Sequence, residues 1–103
     1  MDDSNQIEVP PSFLALFTSP AGHRLMQPIA AIRDRYELCE DMAQLLTQEA
    51  STAWFKSGGP EHETLAKMKL ALSAADSPLQ ANEPAWVVTR IAELLGWELP
   101  GPI

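Results

Sequence analysis

The chain has 103 residues, 46% of them hydrophobic, and its 14 acidic and 7 basic side chains give a net charge of −7. This size and composition predict one globular domain over residues 1–103, with loose tails at residues 1–8 and 98–103. The negative charge excludes nucleic acid and anionic membranes as expected partners, because both attract proteins through Lys and Arg. The single cysteine rules out an intramolecular disulfide, and no basic residue precedes an apolar run at the N-terminus. We therefore expect a cytoplasmic protein.

The first predicted element is a short helical segment that follows Pro10 and Pro11. Phe13, Leu16 and Phe17 provide apolar surface over one or two helical turns, too few for a helix that is stable alone. We expect these side chains to be covered elsewhere in the fold. A loop then leads to the next helix.

A heptad pattern predicts a long central helix over residues 28–55. Apolar or aromatic residues recur in alternating steps of three and four, and we call them the seam: Ile29, Ile32, Tyr36, Cys39, Ala43, Leu46, Ala50 and Ala53. This spacing is typical of a helix packed along its length against other helices. A second stripe beside the seam, Leu38, Met42 and Leu45, predicts that the helix is flanked on two sides. The pair Gly58-Gly59 supplies a left-handed stop.

Two shorter helices are predicted after the glycine stop. Pro60 opens the third helix, which runs from Glu61 to about Ala74. Asn82 is the predicted N-cap of the fourth helix, which continues to Leu95 before Gly96 ends it. No strand-like alternation occurs. The predicted fold is all-α, a small helical bundle around one long central helix, with a short N-terminal helical turn and two further helices.

Candidate contact residues are large side chains that lie off the predicted core faces. On an ideal helix Trp86 lies about 140° from the apolar face of the fourth helix, beside Arg90. Either the N-terminal segment or Arg90 covers the indole, or Trp86 belongs to a protein contact, where Trp is enriched. Leu70 points away from the apolar face of the third helix. The candidate contact residues are Trp86, Arg90, Leu70, Leu38, Met42 and Leu45.

The sequence carries no catalytic constellation. None of the five glycines is followed by Lys, so a phosphate-binding loop is absent. His23 and His62 have no partners at metal-ligand spacing, and Cys39 lies on the seam, where burial as a small hydrophobe is expected. We expect no catalytic residue, no metal and no cofactor.

Four stretches of the chain are similar to one group of proteins: VPPSFLALF at 9–17, RYELCEDMA at 35–43, AWVVTR at 85–90 and AELLGW at 92–97. Together they resemble a family of short proteobacterial helical proteins whose members are often labelled "ATPase with chaperone activity". The resemblance implies an accessory role beside a chaperone machine. It supplies no catalytic residues.

Three functions stay open at this point. The first is a non-catalytic protein-interaction module, such as an adaptor or regulatory accessory protein with a protein partner. The second is a self-assembling homodimer in which Leu38, Met42 and Leu45 pair with their copies across a two-fold axis. The third is a small-ligand or nucleotide-binding, chaperone-associated protein with a pocket between helices.

Overall fold

The computed structural model of the protein describes residues 8–22 and 24–99, and within them the fold is all-α, as predicted. The elements are helix α1 (Pro11–Leu14), a 3₁₀ turn (Ala15–Phe17), α2 (Ile29–Ser57), α3 (Glu61–Leu72) and α4 (Glu83–Leu95). The described residues form no β-strand, only a single antiparallel bridge between Thr18 and Leu25. The predictions for His23 and for most of the two tails lie outside the described residues.

The chain divides into two compact units that meet within α2, between Leu38 and Cys39. The first unit contains α1, the 3₁₀ turn and the first part of α2. The second contains the rest of α2 together with α3 and α4, and within it α3 packs against α4. The single-domain assignment stays a prediction.

In the first unit, Phe13 and Phe17 of the predicted N-terminal segment are buried, and Leu16 is half-buried. The Phe13 side chain is fully buried, and its ring lies 5.5 Å from the ring of Phe17 and 5.6 Å from that of Tyr36, the latter edge-on. Aromatic pairs at these distances favour tilted and edge-to-face geometry. The Thr18 hydroxyl donates to the Leu14 carbonyl at 2.8 Å and closes the segment.

The seam of α2 is exposed at both ends, and between them four positions are fully buried while Tyr36 and Leu46 are half-buried. Ile32, Cys39, Ala43 and Ala50 have no exposed surface, which confirms the predicted burial of the lone thiol. The seam prediction is wrong at the two end positions, because Ile29 is 46% exposed and Ala53 is also exposed.

The reason for the exposed ends is the pitch of a straight helix. At about 100° per residue, a strict heptad repeat drifts by about 20° per heptad. Ile29 and Ala53 therefore each lie about 60° from the line of the four fully buried residues, on opposite sides of it. Trp54 lies closer to that line than Ala53 does, and it is half-buried.

The predicted helix ends between α2 and α3 are largely confirmed. Gly58 takes a left-handed conformation with φ +70°, and its N–H donates to the Trp54 carbonyl. Pro60 precedes the first turn of α3. That helix ends at Leu72, two residues earlier than predicted, where the Ser73 hydroxyl donates to the Lys69 carbonyl at 2.7 Å. A serine hydroxyl that satisfies a terminal carbonyl competes with further helix.

The start of α4 differs from the prediction in its cap. Asn82 makes no side-chain capping bond. Instead the backbone N–H of Gln80 donates to Oε1 of Glu83, and the N–H of Glu83 donates to the Gln80 carbonyl, both at 2.8 Å. Glu83 thus satisfies a donor ahead of the helix in the manner of a capping box, which explains why this carboxylate is buried.

The end of α4 directs Trp97 back to the long helix. Gly96 has φ +73° and donates to the Glu93 carbonyl, and the Trp97 N–H donates to the Ala92 carbonyl at 2.8 Å. This is the Schellman arrangement, which commonly carries a hydrophobic contact after the glycine. Here the indole of Trp97 lies 5.7 Å from that of Trp54, centroid to centroid.

Candidate interaction surfaces

An ion-pair cluster joins α4 to α2 within the second unit. Arg90 donates from Nε to Oε1 of Glu40 at 2.8 Å and from Nη2 to Oε2 at 3.1 Å. Its Nη1 also reaches Oε1 of Glu93 at 3.1 Å. Gln44, one turn after Glu40 on α2, donates from Nε2 to Oε2 of Glu40 at 2.8 Å. The guanidinium therefore binds two carboxylates, one of them at both oxygens.

This geometry favours the charged form of Glu40. The hydrogen bond from Arg90 holds the pKa of the Glu40 carboxyl below its usual value; partial burial opposes this effect, and the bond from Gln44 adds to it. The same hydrogen bond raises the pKa of Arg90. A carboxylate kept ionised in this way is a poor proton acceptor. The cluster is suited to holding two helices together, and not to acid–base catalysis.

The structure places the six candidate contact residues in different settings. Leu45 on α2 and Leu70 on α3 are 79% and 75% exposed. Trp86 and Met42 are half-buried, and so is Leu38, which belongs to the first unit. Arg90 is engaged by Glu40 and Glu93. The stripe Leu38, Met42 and Leu45 is thus not evenly exposed, and this chain itself leaves α2 uncovered at Leu45.

In the C-terminal half of α2, the side opposite the buried seam carries a stripe of exposed, uncharged side chains, and Asp41 lies on the same side one turn before it. We call these uncharged side chains the outer stripe: Leu45, Gln48, Thr52 and Phe55. At about 100° per residue these four positions lie within about 40° of the line directly opposite the buried seam. Leu45 and Phe55, at its two ends, are 79% and 82% exposed.

Two functional features were missed by sequence reasoning, although each had a signal. Phe55 follows Leu45 by ten residues, in the same steps of three and four that define the seam, but on the other side of the helix. Glu40 directly follows the seam residue Cys39, a position from which charged side chains form interhelical ion pairs in coiled coils. The pattern of α4 places Arg90 beside Trp86, away from the apolar face. It does not show that Glu40 on α2 is the partner of Arg90.

A groove lies between the end of α2 and α3, also within the second unit. Its volume is about 260 Å³, and its lining is largely apolar: Ala53, Ser57, Thr64, Lys67, Met68 and Ala71. The Ser57 hydroxyl is already used, because it donates to the Trp54 carbonyl and accepts from the Gly59 N–H.

Within residues 8–22 and 24–99, no three His, Cys, Asp or Glu side chains come close enough to hold a metal ion. None of the described helices combines the length and the apolar character that crossing a bilayer requires. Comparison of the chain with models of protein families, with curated proteins and with solved structures gives no match.

Proposed function

We propose that this protein is a non-catalytic protein-interaction module that uses the outer stripe of α2 as a contact surface. The observation that carries the proposal is the exposure of Leu45 and Phe55, each about four-fifths in solvent, on the same side of one helix. Isolated exposed apolar residues are ordinary on protein surfaces. Two large ones on the same side of one helix, separated only by Gln48 and Thr52 along the stripe, are a pattern that suits a helix partner.

Leu70 on α3 supports the same function, since it is a third large side chain exposed in the second unit. Trp86, Met42 and Leu38 are half-buried and offer less surface. Arg90 offers a partner less than a free guanidinium would, because Glu40 and Glu93 already accept three hydrogen bonds from it. The contact is therefore centred on Leu45 and Phe55.

The small-ligand alternative has weaker support. The groove between α2 and α3, at about 260 Å³, falls below the ~300 Å³ at which typical ligand pockets begin. The sequence also has no phosphate-binding loop for a nucleotide. The resemblance to proteins labelled "ATPase with chaperone activity" fits an accessory role beside a chaperone machine, in which the contact surface and not a pocket carries the function.

Site-specific photo-cross-linking tests the proposal. A photoreactive residue at position 45 or 55, introduced in the native cell, is expected to capture the same partner protein, identified by mass spectrometry. The control position is Ala75, which is exposed on the connection between α3 and α4. Capture at 45 and 55 but not at 75 is the expected result. Equal adducts at all three positions, or none above background, would contradict the proposal.

A further inference from the structure

We infer that Met26 is a site of reversible oxidation, where the fold directs a peroxide ahead of Met42 and Met68. The residue lies in the first unit, outside both the seam and the outer stripe, so the inference is independent of the proposed function. It rests on the exposure of the sulfur-containing side chains and on the way in which the chain holds Met26.

The described methionines differ in their access to solvent. Met26 is 60% exposed, whereas Met42 and Met68 are half-buried; Met1 lies outside the described residues. A peroxide must reach the sulfur directly, so an exposed methionine reacts ahead of a shielded one. The single cysteine, Cys39, has no exposed surface, and a thiol buried in this way is inert. The fold therefore presents the Met26 sulfur to an oxidant before these other sulfur atoms.

Main-chain hydrogen bonds hold the segment that contains Met26. The Met26 N–H donates to the Phe17 carbonyl at 2.7 Å, and the Ser19 N–H donates to the Arg24 carbonyl at 2.8 Å. These bonds do not involve the thioether, most of which lies in solvent. We therefore expect oxidation of Met26 to leave the fold intact.

The reaction needs a peroxide as its oxidant, and hydrogen peroxide is the probe. The Met26 sulfur attacks one peroxide oxygen, an S–O bond forms and the O–O bond breaks. The sulfur loses two electrons, and the proton of the transferred oxygen passes to the leaving hydroxide, which departs as water. The product is methionine sulfoxide, which a methionine sulfoxide reductase returns to the thioether with electrons from a thiol.

The sulfoxide changes the character of an exposed apolar segment. Residues 24–30 are all exposed, and among them Leu25 and Ile29 are 40% and 46% exposed. Met26 is the most exposed of these three large apolar side chains, and oxidation converts it into a polar one. The oxidised protein therefore presents less apolar surface in the first unit than the reduced protein does.

Peptide mapping by mass spectrometry, over a time course with hydrogen peroxide, tests the inference. In the folded protein the Met26 sulfoxide is expected to form about fivefold faster, or more, than the sulfoxides of Met42 and Met68. The control is the same reaction in urea, where the three methionines should react at similar rates because no fold shields them. Comparable rates in the folded protein overturn the inference, and so does a preference for Met26 that persists undiminished in urea.

A matched variant tests the change of surface. Met26→Leu keeps an exposed apolar side chain and removes the sulfur. After brief treatment with peroxide, the wild type should elute earlier from a hydrophobic-interaction column, and a methionine sulfoxide reductase with dithiothreitol should restore its retention. Met26→Leu should keep its retention, and the melting temperature of the wild type, measured by circular dichroism, should be the same before and after oxidation. An unchanged retention of the wild type, an equal shift in Met26→Leu or a lowered melting temperature overturns the inference.

Discussion

Arg90 and Glu40 lie fifty residues apart in the chain and form an ion pair through two hydrogen bonds, Nε to Oε1 at 2.8 Å and Nη2 to Oε2 at 3.1 Å. The side chains are 32% and 17% exposed, so water screens the pair only in part. Two-point geometry makes such a pair stronger than an ordinary surface ion pair. We therefore expect this contact between α2 and α4 to have a measurable effect on stability.

The first prediction concerns the loss of this pair. Arg90→Met keeps most of the aliphatic side chain and removes the guanidinium, which leaves the Glu40 carboxylate with Gln44 as its remaining side-chain donor. We expect the free energy of unfolding to fall by about 1 kcal/mol, measured by urea denaturation at pH 7. The control is Glu93→Gln, because Glu93 is 62% exposed and bound through a single contact. It should lower the free energy by a few tenths of a kcal/mol. Equal losses of unfolding free energy in the two variants would contradict the view that Glu40 is the stronger partner of Arg90.

The second prediction is the pH dependence of the same pair. Arg90 lowers the pKa of Glu40 in the folded protein below its usual value of 4.5, so the folded state favours the ionised carboxyl. The stabilisation is fully present above the unfolded pKa and disappears as the pH falls through the lower folded pKa. The difference in unfolding free energy between the wild type and Glu40→Gln should be constant near neutrality and shrink as the pH falls below about 4.5. A difference that grows towards acid would show that the pair does not favour the ionised carboxyl.

The third prediction compares two alanines on the seam of α2. Ala43 has no exposed surface, whereas Ala53 is exposed beside the groove. Ala43→Leu should overfill a packed contact and lower the free energy of unfolding by about 1–3 kcal/mol. Ala53→Leu makes the same chemical change where space is available, and should alter stability by less than about 0.5 kcal/mol. Thermal and urea unfolding of the two variants check this contrast, and a larger loss at position 53 than at position 43 would reverse our assignment of the buried face.

The sequence predicts elements with strong local signals. Gly58, Pro60 and Gly96 mark helix boundaries because their backbone preferences act within one turn. The alternating steps of the seam identify four fully buried positions, although Tyr36 and Leu46 between them are half-buried. They misplace Ile29 and Ala53, because a straight α-helix has 3.6 residues per turn while the pattern assumes 3.5. Only a supercoiled helix would have kept all eight positions on one line.

The candidate site depends on information that a local pattern lacks. Arg90 was recognised as a polar neighbour of Trp86, but its pairing with Glu40 follows from how α4 lies on α2, which no periodicity encodes. The same holds for Leu45: its apolar character predicted a contact, and only the fold shows that this chain leaves the residue uncovered. The sequence shows which side chains share a helix face, and the tertiary structure determines which of them remain exposed.

The last prediction concerns a strained residue before α4. Ala81 has φ +42°, a left-handed conformation that costs a residue with a Cβ atom about 1–2 kcal/mol. The hydrogen bonds between Gln80 and Glu83 on either side hold the turn in this shape. Glycine adopts positive φ without that cost, although it adds freedom to the unfolded chain. Ala81→Gly should therefore raise the free energy of unfolding by about 0.5 kcal/mol. The control is Ala75→Gly, at an exposed position with ordinary φ, which should lower it by a similar amount. Differential scanning calorimetry of both variants measures the two shifts, and a destabilised Ala81→Gly would show that the turn carries no strain.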